Sequence, residues 1–441
     1  MRFHHICALA AAVALASPAS AALSPTETSM MRTVDAEQSR TLAMLIKWVE
    51  QNSGSLNLPG VTAVGKMVRA ELEPLGFEVE WIDMSAAHRA GHLVARHKGN
   101  GRGKRLLLIG HLDTVFEPDS PFQHWRREGD WGHGPGAADD KGGDAVIVAA
   151  LRAMQQAGTL KNADVTVFLT GDEEDSGQPL ELARRDLIAA GKAADVALDF
   201  EGLVRDGGKD MGSTARRSAG SWTVEVKAKS AHSSGVFTPD SGYGAIYELA
   251  RILDSFRREL REDKLTYSVG LIGGGTSATL DPGRIRLEAT GKTNIIPPIA
   301  IARGDLRAID VKQIERTRAK MRAIVAQSLP GTQANIAFDS DGYPPMPPTP
   351  GNRAILAELN RVNADAGLPI MAELDPVKRG AGDISFVASE VDGLAGMGPA
   401  SDGDHTPVER VDIPSISLQA KRAAILMSRL AAQPPPASSV R

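Results

Sequence analysis

The sequence predicts an α/β protein, with a mostly parallel sheet sandwiched by helices and interrupted by an inserted α+β module. Three observations predict it. Compact apolar runs at 106–109, 165–170 and 196–200 each end in a polar turn, as parallel strands covered on both faces do. Helical stretches stand between those runs, which is the alternation of βαβ units. Between about 212 and 328 the pattern changes to period-2 strands with one polar face, as in WTVEVKAK at 222–229.

Taken in order, the chain starts MRFHHICALAAAVALASPASAALSP: a basic residue, Arg2, then an apolar run from Ile6 to Ala16, then the small residues Ala19-Ser20-Ala21. This matches a cleavable secretory signal over 1–21, and the run is too short to cross a bilayer, which takes roughly 20 residues. The mature chain is expected to be exported, periplasmic or secreted, with no membrane anchor after residue 21. Removing Arg2 takes the formal charge from −4 to −5 and removes Cys7, the only cysteine. A nucleophilic cysteine and disulfides are thereby excluded from the mature protein, and a net acidic chain without a basic cluster argues against a nucleic-acid partner. Residues 33–51 have helical spacing with Leu42, Leu45, Ile46 and Val49 on one stripe, and 61–75 form a second helix stopped at Gly76. Strands at 77–83 and 92–97 lead into the run at 106–109. A helix at 145–157, a strand at 165–170, a helix at 180–190 and a strand at 196–200 follow. The module at 213–328 has strands at 222–229, 284–289 and 299–307 with helices at 244–260 and 311–328, and the α/β pattern then resumes with helices at 354–366 and 413–430. The expected division is therefore 22–212 and 329–433 for one domain, 213–328 for the insert, and a disordered tail at 434–441.

The polar residues with chemical potential fall at turns, most of them after the apolar strands. His111 and Asp113 stand two apart, so on an extended segment they point the same way. A carboxylate on the far nitrogen of a metal-bound imidazole fixes its tautomer. Alone, the pair reads equally well as a strand running into a solvated turn. The glycine-rich turn 132–143 carries Asp139 and Asp140, has neither phosphate-loop pattern, and favours a cation. GDEED at 171–175 and Glu201 each follow a buried strand, and His405 lies in a polar loop. Together His111, Asp139, Glu174, Glu201 and His405 offer two imidazoles and three carboxylates. That set suits two zinc ions sharing one carboxylate, with cobalt or manganese possible. Of the adjacent Glu173 and Glu174, one can bind while the other serves as a general base.

The motifs GHLDTV, GPGAADDKGG, TGDEE, DFEG and DHTPVERVDI resemble, in order and spacing, those of the co-catalytic zinc aminoacylase and carboxypeptidase family, which includes glutamate carboxypeptidase, acetylornithine deacetylase, succinyl-diaminopimelate desuccinylase and peptidase T. The resemblance implies a catalytic α/β domain with an inserted lid that forms a homodimer. It implies that His111 and Glu201 hold one zinc, Glu174 and His405 the other, and that Asp139 bridges. Asp113 would orient His111, Glu173 would be the base, and the Asp139–Asp140 peptide would be cis. From the lid, His232 would reach a substrate oxygen, and Asn294 with Arg307 would hold a substrate carboxylate. Gly380 and Gly382 match the turn near that carboxylate, and Lys209 matches a lysine of the glutamate carboxypeptidases. One departure stands out: Tyr343, in SDGYP with Asp341 close by, takes the place of an arginine that contacts substrate in glutamate-releasing members. The expected substrates are small peptides or N-acyl amino acids. The readings to be separated are a carboxypeptidase or dipeptidase, an N-acyl-amino-acid deacylase, and a non-catalytic binding protein, whose sign would be a missing ligand or base.

Overall fold

The computed structural model describes residues 22–435. The expected signal peptide and all but the first two residues of the expected tail lie outside the described residues. The chain begins with α1 (Pro25–Ala36), α2 (Gln38–Val49) and α3 (Leu58–Leu72). Where the spacing over 33–51 predicts one helix, two form, meeting at Glu37. The buried stripe of α2 is Thr41, Met44, Leu45, Trp48 and Val49, rotated from the expected one because Trp48, the bulkiest apolar side chain, takes the core position. Strands β1 (Glu78–Asp83), β2 (Gly91–His97) and β3 (Leu106–His111) follow, then α4 (Lys141–Gln156), β4 (Val165–Thr170), α5 (Leu180–Ala193) and β5 (Val196–Asp199). The insert supplies β6 (Gly220–Ala228), α6 (Ala245–Glu259), β7 (Thr266–Gly275), β8 (Ile299–Arg307), α7 (Val311–Val325) and β9 (Thr332–Phe338). Last come α8 (Pro350–Asp365), β10 (Gly393–Leu394) and α9 (Ile413–Ala432).

The main sheet has the order β1-β2-β4-β3-β5-β10. Only β2 runs against the rest, pairing antiparallel with β1 and β4, while β3, β4, β5 and β10 run parallel to one another. Every residue of β3 is buried, and the strand alternates: Leu106 and Leu108 face one core, Leu107 and Ile109 the other. That two-sided burial is why the segment reads as an unbroken apolar run. Parallel register sets His111 opposite Thr170 and Ile109 opposite Asp199, so the carboxyl ends of three strands open on one edge.

The second sheet has the order β7-β8-β6-β9, antiparallel throughout. Its core is Trp222, Val224 and Val226 under Leu249, Ile252 and Phe256, with the Trp222 and Phe256 rings edge to face at 5.6 Å. The insert does not end at 328, because β9 pairs with β6 residue for residue from 332 to 338. Strand β7 was also absent from the sequence expectation, and the strand expected at 284–289 forms instead as Leu287–Thr290 in a separate hairpin with Ser277–Leu280. The two crossings between the sheets run side by side, bridging at Arg216–Met346 and Ala219–Tyr343. Among the described residues, no helix is long and apolar enough to cross a membrane.

Candidate active site

His111 ends β3 and its ring is buried. Its Nδ1 faces the carbonyl oxygen of Asp113 at 3.1 Å, with the Asp113 carboxylate at 3.5 Å, and its Nε2 faces Asp139 Oδ1 at 2.9 Å. His405 Nε2 meets the other oxygen of Asp139 at 3.1 Å and Glu174 Oε2 at 3.2 Å. Asp139 is thus shared between two imidazoles that approach from opposite ends of the chain. The Asp139–Asp140 peptide is cis, and His405 holds a left-handed backbone with φ of 63°. That conformation costs a non-glycine residue about 1–3 kcal/mol and persists only where the surroundings enforce it. Glu409, itself buried, accepts from the backbone N–H groups of Ala138 and Asp139 at 3.2 and 3.5 Å and so fixes the bridge from behind.

Each imidazole is crowded by acceptors. Burial opposes a charge on His111, yet Asp113 and Asp139 raise its affinity for protons well above the ordinary histidine range. Hydrogen bonds to Asp139 and Glu174 push His405 up to about 11. Burial, then the charge of Asp139, raises Glu174 to about 7, while its Oε1 is buried with no hydrogen-bond partner. With Nδ1 of His111 directed at a carbonyl, Nε2 is the nitrogen left to bind a cation. His111, Asp139 and Glu174 present one ligand atom each within 4.8 Å of one another. Two nitrogens and carboxylate oxygens converging this closely fit a divalent metal, which would replace the protons that now keep them together.

The loop after β4 carries the two glutamates, and Asp113 organises it. Its Oδ1 accepts from Glu173 N at 3.0 Å, and its Oδ2 from Glu174 N at 3.1 Å and the Ser55 hydroxyl at 2.6 Å. Glu174 thereby turns to His405, Asp139 and His111, and Glu173 to an adjoining cavity. Burial, then the charge of Glu201, raises the Glu173 carboxyl well above the ordinary glutamate range.

That cavity has a volume of about 310 Å³ and is lined by Asp139, Glu173, Glu201, Arg216, Arg379 and His405, among others. The structure does not bring the Glu201 carboxylate into the cluster of His111, Asp139, Glu174 and His405. Oε2 accepts from Arg216 at 2.7 Å and Arg379 at 3.1 Å, which hold the carboxyl below its usual range against the effect of burial. Gly380 lies on the cavity wall and gives its carbonyl to Arg216 Nε at 2.8 Å. At Gly382 a Cβ would come within 2.2 Å of both Arg216 Nη1 and Glu201 Oε1. Gly382→Ala is therefore expected to force the Arg216–Glu201 pair apart and lower the melting temperature, as a thermal unfolding scan would read. Arg307 pairs with Asp305 at 3.1 Å near Gly380. His232 is exposed on a two-stranded lid ribbon, Asn294 is exposed in the turn that leads into that ribbon, and Lys209 is exposed on a hairpin; the structure brings none of the three to the cavity. Sequence reasoning missed Ser55, Arg216, Arg379 and Glu409. Only Glu409 lay within a quoted motif.

Residues 107–429 match peptidase family M20/M25/M40. The chain belongs to this family. As an M20 protein it is a metal-dependent hydrolase of the peptidase and amidohydrolase type, with the two-part fold described above. It is 30% identical to carboxypeptidase G2 of Pseudomonas sp. (strain RS-16) over 292 residues, covering 65% of this chain and 68% of that one. It is 25% identical to a succinyl-diaminopimelate desuccinylase of Azoarcus sp. (strain BH72) over 391 residues, covering 85% and 94%. Among solved structures, a tripeptidase from Staphylococcus aureus superposes with a TM-score of 0.71 at 18% identity, over 90% of this chain and 99% of that one. A dinuclear metal-binding M20 peptidase from Bacillus subtilis superposes at 0.62 and 17% identity, over 90% and 98%.

Proposed function

We propose that the chain is an exported two-zinc hydrolase that cuts an amide bond beside a free carboxylate, acting as a carboxypeptidase. The observation that carries this reading is the convergence of His111, His405 and Glu174 on Asp139, with Glu173 beside them on a cavity walled by arginines. Zinc is favoured by the mixed nitrogen and oxygen donors; His111, Asp139, Glu174 and His405 would hold metal, and Glu201 would join on leaving Arg216 and Arg379. When bound, the cations supply Lewis-acid polarisation of a carbonyl and a lowered pKa for water. Glu173 takes the proton of the attacking water and returns it to the leaving amine, the role its raised pKa suits. Arg307 and Asn294 would hold the substrate carboxylate, with Gly380 and Gly382 on the turn beside it and Lys209 further out. His232 would assist the oxyanion from the lid of a second copy in a homodimer. The expected division into a catalytic domain and a lid supports this arrangement, and the expected signal at 1–21 supports export.

A second reading, N-acyl-amino-acid deacylase, is favoured by the desuccinylase match, which spans 94% of that relative, and by Tyr343 in place of an arginine. A panel of C-terminal dipeptides, benzoyl-glutamate and N-acetyl amino acids, each with and without chelator, separates the two. Chelator-sensitive release of a C-terminal residue is the expected result. Cleavage of N-acetyl amino acids alone would establish the deacylase, and no turnover with metal bound would sink both.

A further inference from the structure

The hydroxyl of Tyr343 has three partners. It donates to the carbonyl oxygen of Glu173 at 2.7 Å, and it receives Arg184 Nη2 at 3.2 Å and the Ser176 hydroxyl at 3.2 Å. A phenol has one proton and two lone pairs, so these contacts use its whole capacity. Ser176 is balanced in turn, donating to Tyr343 and accepting from Arg184 at 3.1 Å. Arg184 is buried on α5, with Nε on Asp383 at 2.9 Å and Nη1 on Asp172 at 2.6 Å. The Tyr343 ring lies against Phe386, with centroids 4.8 Å apart. Both peptide groups of Glu173 are therefore clamped, its N–H by Asp113 at 3.0 Å and its carbonyl by Tyr343. With both ends fixed, the side chain can leave the backbone in only a narrow range of directions.

We infer that Tyr343 is a positioning residue for Glu173, its hydroxyl spent on the main chain of the base and not on the substrate. The inference rests on the reading of Glu173 as base. Misplacement of a reacting group by about 1 Å can cost on the order of 100-fold in rate, so a loosened base should lower kcat and leave binding intact.

Tyr343→Phe removes the hydroxyl and keeps the ring. On the best-cleaved substrate of the panel, the variant is expected to lose about tenfold or more in kcat with KM within about twofold of wild type. Metal content and melting temperature are expected to stay close to wild type. Deuterium exchange over residues 171–177 is expected to be faster by about tenfold, a local loosening without global unfolding. A variant with unchanged kcat and exchange would overturn the inference, and so would a raised KM at unchanged kcat, the mark of a substrate contact. Exchange does not depend on turnover. If wild type cleaves nothing, the functional reading fails separately, and unchanged exchange in the variant still sinks the clamp.

Discussion

Glu173→Ala is expected to lower kcat by about 10²–10⁴-fold, the range for loss of a positioned acid–base group, while metal content stays at the wild-type level. The separation follows from geometry. Glu173 is held through its main chain by Asp113 and Tyr343, whereas the proposed metal site is made of the side chains of His111, Asp139, Glu174 and His405. Removing the Glu173 carboxylate leaves those four in place. It also removes a carboxyl that burial and Glu201 have tuned toward proton uptake. The check is steady-state kinetics beside metal analysis of the same preparation. Substantial residual activity would assign the base elsewhere.

Asp139→Ala is expected to weaken metal binding by more than about 100-fold, beyond the usual cost of losing an outer-shell partner. One oxygen of Asp139 faces each imidazole, at 2.9 and 3.1 Å, so a single substitution removes the group both sides of the centre share. The wild-type protein should also bind metal more tightly as pH rises. Hydrogen bonds to Asp139 and Glu174 push His405 up to about 11, so at neutral pH the apoprotein carries a proton there that metal must displace. Below that value, affinity gains about tenfold per pH unit for each proton displaced. Calorimetric titration one pH unit apart tests the sign, and equal metal affinity in Asp139→Ala would remove Asp139 from the ligand set.

The legible parts of the sequence were those where one physical demand dominates. Strands β3, β4 and β5 must be apolar throughout because helices cover both faces, and the site residues at their ends were readable as polar punctuation. Strand β7, TYSVGLIGGG, escaped because it is rich in glycine and forms an edge of the lid sheet, largely exposed. Strand β9 escaped because TQANIAF alternates small and polar residues with few bulky ones, and its pairing with β6 is what fixes it. Arg216 left no local trace: its partners are Asp199, Glu201 and the carbonyls of Gly380 and Ala381, up to 165 residues away. The position of the Glu201 carboxylate was unreadable for the same reason. A ligand-type residue can be recognised from its motif, but the cations that compete for it come from elsewhere in the fold.

His405 lies 266 residues after Asp139. Strand β10 and the long helix α9, which complete the sheet edge and one core, likewise follow the insert in sequence. During synthesis His111, Asp139 and Glu174 emerge long before the imidazole of His405 that meets them. Capture of a metal by all four of these side chains would therefore have to wait for the segment that carries His405, and a chain cut before that segment would keep only part of the proposed cage.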